Sequence, residues 1–443
     1  MAVGRGVKAL LSGTLLCALV AGCSSADPAP RTAPTPSTSP SSSPAEPVRL
    51  TLGVYGPEAM LEAYKDLAEA FTDEHPEITV EVQRHDDAED VMTAVERGEA
   101  PDVFLIDHDH VARLVAEQRV QPVDGLLEAR QVDFGDGYQR GGLTAFAADA
   151  ALQCMPHDVS PMVVYYNKEL VDLGRLVEET ETPPTPLDGW DWETFTTAVR
   201  QASRGPASGV YLEPSLASLA PFVWSAGGEI VDDVQAPTTL TLSDGDSREA
   251  LEQVLALVRD PQVTPTAGEL EKRDAVTRFK NGRLGMILGT RALTPELRTG
   301  QGLDFDVMPL PSLGRVRTVS NMTGYCISSE TEHIEAAGDL VAFAVSRKGA
   351  TITTRTGYVV PSNLEVANSA VFAQPSQQPE SSFIFNEGVR RAQPMPFAAV
   401  WPRLSDEVED PLHTMFYAPV IDLDALLEAI DTRSQEILAP EEE

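Results

Sequence analysis

Positive charge is scarce in this chain of 443 residues. Lys and Arg together number 33 against 68 Asp and Glu, which gives a formal net charge of −35. A surface this acidic repels phosphate groups, so nucleic acid is excluded as an expected partner. It also lacks the basic cluster that binds anionic lipid. The length predicts two or three packing units, and the charge indicates a self-repelling body that handles something small or neutral.

Long hydrophobic runs are also rare. The most pronounced run, residues 9–20, follows two basic residues and is too short for a membrane-spanning helix, which needs roughly 17–25 residues. It ends in Val20-Ala21-Gly22-Cys23, which resembles a bacterial lipobox, in which the cysteine is acylated. We therefore expect residues 1–22 to be a lipoprotein signal peptide and Cys23 to be the lipidation site. The alternative is a plain signal peptide with an incidental cysteine.

The segment after this cysteine is dominated by Pro, Ser and Thr. Residues 24–47 have too few apolar side chains to form a core and are typical of an extended, solvated stalk. With the lipidated cysteine they form a predicted linker over residues 23–47. We expect this linker to hold the body at the extracellular face of the cytoplasmic membrane.

Cysteine is scarce as well. Of the four cysteines, Cys17 and Cys23 lie in the signal region, which leaves Cys154 and Cys326 for the body. Both lie in strand-like runs, and outside the cell a pair of thiols can be oxidised. The residues alone leave two interpretations open, a disulfide or two buried free cysteines.

Motifs for common catalytic chemistries are absent. The chain contains no G-x-S-x-G, H-E-x-x-H or Walker sequence. A glycosidase would need two carboxylates across the scissile bond, but Asp107 and Asp109 lie on one loop. His108 and His110 would face one side if they lay on a strand, and with residues 85–87 upstream they form a weak metal-binding signal. We expect no catalytic residues, no resident metal and no cofactor.

The body alternates strand and helix patterns, which indicates the α/β class. A strand with period-two apolar residues over 48–54 precedes an amphipathic helix over 60–71, and residues 103–106 form a continuous apolar strand. Further along, Asp246 or Ser247 is predicted to cap a helix. In open α/β sheets ligands bind at the carboxyl ends of strands. The residues placed there by this pattern are Tyr55, residues 107–109 and residues 289–291.

Eight motifs, in a fixed order, resemble those of extracellular solute-binding proteins of ABC importers, of the maltose-binding type. They are residues 71–80, 98–104, 164–170, 190–195, 224–228, 279–286, 309–311 and 356–361. The resemblance implies a type II periplasmic-binding-protein fold, with a ligand cleft between two lobes joined by crossing hinge strands. It places lobe 1 at residues 48–157 plus about 324–375, and lobe 2 at residues 158–323 plus about 376–443.

The same resemblance implies a set of ligand-binding residues. Asp109 stands where maltose-binding relatives have an Asp that contacts sugar hydroxyls, and Trp401 stands where they have a stacking Trp. Two positions depart from the family pattern, since Arg291 replaces an aromatic residue and Ser160 replaces a Glu. The full predicted set is Tyr55, Asp107, Asp109, Ser160, Trp224, Arg291, Tyr325, Tyr358 and Trp401.

The resemblance also implies partners and a function. The strands that carry Cys154 and Cys326 run close together in this fold, so we expect a disulfide between them. We expect a monomer that captures a small solute, a carbohydrate and specifically an oligosaccharide, and delivers it to the permease subunits of an ABC importer. The low aromatic content, 6%, weakens the case for an oligosaccharide. The alternatives are an anionic or metal solute and, with less support, a secreted glycan-acting enzyme.

Overall fold

The computed structural model describes residues 47–179 and 184–439. The predicted signal peptide, the lipidation site Cys23 and the linker up to residue 46 lie outside the described residues. Within the part of the chain that the structure describes, no helix is both long and apolar enough to cross a membrane.

The strands and helices alternate as the sequence pattern predicts. The strands are β1 (Val48–Val54), β2 (Ile78–Arg84), β3 (Val103–Asp107), β4 (Val120–Gln121), β5 (Ala147–Ala148), β6 (Ala151–Leu152), β7 (Cys154–Pro161), β8 (Val163–Asn167), β9 (Ser208–Tyr211), β10 (Leu284–Gly289), β11 (Phe305–Met308), β12 (Thr318–Ser328) and β13 (Ala392–Gln393). The helices are α1 (Glu58–Glu74), α2 (Ala88–Glu96), α3 (His108–Ala116), α4 (Asp124–Ala129), α5 (Arg140–Ala145), α6 (Leu173–Glu179), α7 (Trp192–Ala202), α8 (Leu216–Ala226), α9 (Gly245–Val258), α10 (Ala267–Leu270), α11 (Ala275–Lys280), α12 (Thr294–Leu297), α13 (Ile334–Val345), α14 (Arg347–Thr354), α15 (Leu364–Ala367), α16 (Ala370–Ala373), α17 (Phe383–Gly388), α18 (Trp401–Tyr417) and α19 (Leu423–Leu438).

A 7-stranded sheet forms the first lobe, with the strand path β13-β12-β3-β1-β2 and with β4 and β7 also paired to β12. Strand β1 is parallel to both β2 and β3, so their carboxyl ends meet at one edge. Helix α1 covers the sheet because its apolar residues recur at helical spacing, and Met60, Tyr64 and Phe71 are buried. This part of the sequence prediction is confirmed.

A 4-stranded sheet forms the second lobe, in the order β11-β8-β10-β9. Strand β8 is buried along its whole length, and its side chains alternate between two cores. Val163 and Tyr165 face the core shared with the first sheet, whereas Val164 and Tyr166 face a separate core that contains Trp190. This alternation follows from the period of two along a strand.

The two sheets are joined by strands that run from one lobe into the other. Strand β7 belongs to the first sheet and passes through Met162 into β8 of the second sheet. Strand β12 pairs antiparallel with β7, with a register shift between Thr323 and Gly324. Mixed α/β lobes joined in this way agree with the predicted two-lobed fold. The exact lobe boundaries remain a prediction.

The ladder between β7 and β12 contains the expected disulfide. Cys154 and Cys326 are directly opposed in the register, with their Cα atoms 4.4 Å apart, and their sulfur atoms are bonded. Both residues are fully buried. The disulfide therefore ties the two crossing strands together inside the first lobe.

Two local predictions are wrong. Helix α9 begins at Gly245 with Asp244 as its N-cap, so Asp246 and Ser247 lie in the first turn. The Ser247 hydroxyl donates instead to the carbonyl of Glu229, at 2.8 Å. The loop predicted for Asp107 and Asp109 is also wrong, because Asp107 ends β3 and α3 begins at His108.

We expect the disulfide to survive in the native protein and to contribute about 2–5 kcal/mol to stability, because it closes a loop of 172 residues. Replacing both cysteines by Val keeps most of the buried apolar volume, so the loss measured by urea unfolding reports the cross-link. Peptide mapping without reductant should recover residues 154 and 326 in one linked peptide. Recovery of two separately alkylated peptides would contradict the prediction.

Candidate functional site

A cavity of about 1060 Å³ opens at the carboxyl end of β3. Its lining comes from α3 and α5 on one side and from residues 386–397 on the other, with Val234 and Gln235 at its margin. The side chains that give it chemical character are His108, Gln139, Arg140, Asn386, Arg390 and Phe397. The cavity is large enough to hold a small organic molecule.

An aromatic wall bounds this cavity. The His108 ring lies 5.7 Å from the ring of Phe146 and 5.7 Å from the ring of Phe397, measured between centroids. His108 is buried because it follows β3 directly and turns its ring toward Phe146. Aromatic faces of this kind bind the apolar side of a ligand.

Amide side chains form the polar part of the cavity. Gln139 Nε2 donates to Asn386 Oδ1 at 2.7 Å, and Asn386 Nδ2 donates to Asn368 Oδ1 at 3.0 Å. Each amide has a further donor or acceptor beyond these bonds. The arrangement is suited to a ligand that carries several hydroxyl or carbonyl groups.

A buried polar cluster adjoins the cavity, since its member Asp107 immediately precedes His108. The Tyr55 hydroxyl donates to Asp107 Oδ1 at 2.7 Å, and burial raises the pKa of Asp107. Tyr64 Oη lies 3.3 Å from His157 Nε2, and the His157 ring lies 5.0 Å from that of Tyr325. These side chains come from α1, β7 and β12 and from the ends of β1 and β3.

Asp158 is the second carboxylate of the cluster. The Ser160 hydroxyl lies 2.7 and 2.9 Å from its two carboxylate oxygens, and the backbone N–H of Val360 donates to Oδ1 at 2.6 Å. Burial nevertheless raises the pKa of Asp158 to about 7. Burial also lowers the pKa of its neighbour His157 to about 4. Both shifts have the same cause, because a low-dielectric interior disfavours the charged form of either group.

Arg291 is buried where the two lobes meet. It follows β10, and its guanidinium lies 4.5 Å from the centroid of Phe372 and 5.2 Å from that of Phe385. Its Nη2 donates to the carbonyl oxygen of Phe372 at 2.7 Å. Burial lowers the pKa of Arg291 to about 10, so the side chain stays charged at neutral pH.

The structure divides the predicted site residues into three groups. Tyr55, Asp107, Ser160, Arg291 and Tyr325 lie in or beside the buried polar cluster. Asp109, whose side chain is 46% exposed, and the half-buried Tyr358 lie outside the hydrogen bonds of this cluster.

The two predicted tryptophans lie elsewhere. Trp224 and Trp401 are buried in a core formed by α8, α9, α18 and α19. Neither lines the cavity described above. A ligand-binding role for either one remains a prediction.

Several cavity residues were missed by the sequence analysis. Phe397 lies four residues before the predicted site residue Trp401, and His108 lies in the Asp-His-Asp-His motif of residues 107–110. An aromatic residue in the extended, Pro-rich segment ahead of α18 was the available signal for Phe397. Gln139 and Asn386 carry no motif and meet only through the fold.

The weak metal-binding signal does not correspond to a cluster. His108 and His110 lie in the first turn of a helix, where residues two apart point about 200° away from each other. Their nearest carboxylates differ, Asp109 for the first at 3.6 Å and Glu89 for the second at 3.8 Å. Among the residues with described side chains, no group of three or more His, Cys, Asp or Glu could hold a metal ion.

The comparison with protein families gives a match over most of the chain. The family described as "Bacterial extracellular solute-binding protein" matches residues 66–380. Curated relatives include binding proteins of Brucella abortus and Brucella suis, each 23% identical over 273 residues, or 60% of this chain. The chain spans 63% of the length of these relatives.

Solved structures share the fold. An ABC substrate-binding protein of Listeria monocytogenes in complex with cycloalternan has a TM-score of 0.77 and 17% identity, over 88% of this chain and 98% of that one. The GacH receptor of Streptomyces glaucescens, solved unliganded and with acarbose, has a TM-score of 0.72 and 19% identity over 88% and 98%. UgpB of Mycobacterium tuberculosis in complex with glycerophosphocholine has a TM-score of 0.72 and 16% identity over 87% and 98%.

We expect His157 and Asp158 to make opposing contributions to the pH dependence of stability. Because the pKa of Asp158 is raised to about 7, its contribution to the free energy of unfolding falls as the pH rises from about 4 to about 7. Because the pKa of His157 is lowered to about 4, its contribution falls as the pH drops from about 6.5 to about 4.

Two variants separate these contributions. Between pH 4 and pH 7 the free energy of unfolding of Asp158→Asn should rise relative to that of wild type. The reason is that the variant lacks the contribution of Asp158, which decreases over this pH range. That of His157→Gln should decrease between pH 4 and pH 6.5. Urea unfolding at a series of pH values measures both, and profiles parallel to wild type in both variants would contradict the assignment.

Proposed function

The chain belongs to the bacterial extracellular solute-binding proteins, and from this premise we propose that it captures a small solute between its two lobes for an ABC importer. The observation that carries the proposal is the cavity of about 1060 Å³ at the carboxyl end of β3, lined by residues of α5 and by residues between 386 and 397. Closure of two lobes over such a cavity would trap a solute, and the closed form would dock on permease subunits in the membrane.

A carbohydrate, and an oligosaccharide in particular, is the solute class we propose. Sugar rings present apolar C–H faces and a rim of hydroxyls, which match the His108–Phe397 wall and the chain of amides through Gln139 and Asn386. The volume exceeds what a single sugar ring requires. Structures of the same fold from Listeria monocytogenes and Streptomyces glaucescens hold cycloalternan and acarbose, which supports the same class.

Binding without catalysis is part of the proposal. Asp107 is engaged by the Tyr55 hydroxyl, whereas Asp109 is part-exposed on the first turn of α3, so the two carboxylates do not face each other across a substrate. A glycosidase needs that opposed arrangement. We also propose that the protein is a monomer anchored through lipidated Cys23, which rests on the sequence alone.

Thermal shift with saccharides, both neutral and acidic, tests the proposed function. A saccharide present at a hundred times its Kd should stabilise the protein by about 2.7 kcal/mol. Phe397→Ala should weaken the binding of that saccharide about tenfold, because the aromatic contact is lost. The matched control is Phe383→Ala, since Phe383 is 43% exposed and does not line the cavity.

The proposal has two clear ways to fail. If no saccharide shifts the melting curve while another class of solute does, the carbohydrate assignment is wrong. If Phe397→Ala and Phe383→Ala bind the saccharide as tightly as wild type does, the ligand lies elsewhere. Circular dichroism of both variants checks that the fold is retained.

A further inference from the structure

A guanidinium without a counter-ion lies buried between the lobes. Arg291 is 0% exposed, and its Nε and Nη1 have no hydrogen-bond partner among the described residues. It forms no ion pair with any carboxylate in the part of the chain that the structure describes. A buried charge is costly unless it is paired, so these unused donors require an explanation.

The surroundings of Arg291 hold the guanidinium in a fixed plane. The guanidinium carbon Cζ lies over the phenyl rings of Phe372 and Phe385, at 4.5 and 5.2 Å from their centroids. The carbonyl of Phe372 accepts from Nη2 alone. The remaining donors therefore stay along the edge of the group, which is the part that binds oxyanions.

A second guanidinium lies near the first. Arg298 donates from Nε to the carbonyl of Gln378 at 2.6 Å and from Nη1 to Gln374 Oε1 at 2.7 Å, while its Nη2 is unpartnered within the described structure. Its charge contributes to lowering the pKa of Arg291, after burial. Two cations close enough to affect each other, with neutral partners only, create a local positive potential.

Among the described residues, Asp158 is a carboxylate whose negative charge raises the pKa of Arg291, an effect smaller than those of burial, Tyr165 and Arg298. Its oxygens already accept from Ser160 and from the N–H of Val360. Burial raises its pKa to about 7, so a large fraction is neutral at neutral pH. It therefore does not serve as a permanent counter-ion.

We propose that Arg291, assisted by Arg298, binds an oxyanion of the captured solute, either a carboxylate or a phosphate group. This inference rests on the proposed function and narrows the solute to an acidic carbohydrate or another anionic molecule of similar size. Phe372 and Phe385 cover Arg291, which does not line the cavity of about 1060 Å³. The anionic group therefore reaches the donors only when these side chains move apart as the lobes open.

The test uses the full mature chain and three anionic probes. Melting temperatures are measured in inorganic phosphate against chloride at matched ionic strength and pH, and with glucuronate or glucose 6-phosphate against glucose. Wild type should gain stability from the anionic member of a pair, and Arg291→Gln should lose that gain, with at least about a tenfold weaker Kd. The matched control is Arg248→Gln, since Arg248 pairs with Glu252 and Asp424 on the surface.

Each outcome decides the question. A preference for glucuronate identifies a carboxylate site, and a preference for phosphate and glucose 6-phosphate identifies a phosphate site. Equal responses in wild type and Arg291→Gln, or no response to any anion, overturn the inference. Should Arg291→Gln fail to fold, Arg298→Gln makes the same comparison with a part-buried guanidinium, and an undiminished anion response in that variant overturns it.

The inference and the proposed function fail in different ways. A neutral saccharide that binds wild type and Arg291→Gln equally, with no anion effect, leaves solute capture intact and removes the oxyanion site. A protein that responds to neither saccharides nor anions loses both proposals.

Discussion

The antiparallel ladder between β7 and β12 is the constraint on which the rest of the structure depends. Strand β12 pairs with β3, β4, β7 and β13, so it fixes the positions of most of the first sheet. Strand β7 continues almost without interruption into β8, so the same ladder fixes where the second sheet begins. The Cys154–Cys326 disulfide fixes the register of β7 and β12 within the first lobe. The part of the ladder that leads into the second lobe lies beyond the register shift between Thr323 and Gly324.

The crossing also explains why charged groups are buried. Where the two sheets meet, polar side chains in the crossing strand β7 and just after β10 are buried. His157, Asp158 and Arg291 are all buried in this region. Burial shifts the pKa of each group in the direction that favours its neutral form. A fold that merely needed a core would place apolar residues here, since a buried polar network is often no more stable than an apolar replacement. Asp158 and His157 have partners within the fold, whereas two donors of Arg291 have none among the described residues. The proposed oxyanion would supply the partners that Arg291 lacks.

The sequence predicted features that depend on local periodicity or on an ordered set of motifs. The apolar spacing of α1 and the continuous strand β3 are local, and the pairing of Cys154 with Cys326 required the family's strand arrangement. Burial of individual aromatic residues was not predictable. Trp401 and Phe397 are only four residues apart, yet Trp401 packs in a core formed by four helices and Phe397 lines the cavity. The contact between Gln139 and Asn386 joins residues 247 positions apart and depends wholly on tertiary structure.

The net charge of −35 and the buried guanidinium of Arg291 are not in conflict. Most of the acidic groups are exposed, and salt screens them over about 8–10 Å at physiological ionic strength. A buried charge is screened far less and responds mainly to its nearest neighbours, which for Arg291 include two phenyl rings, a carbonyl, Tyr165, Asp158 and a second guanidinium. The acidic surface is therefore only a weak objection to the proposed oxyanion site.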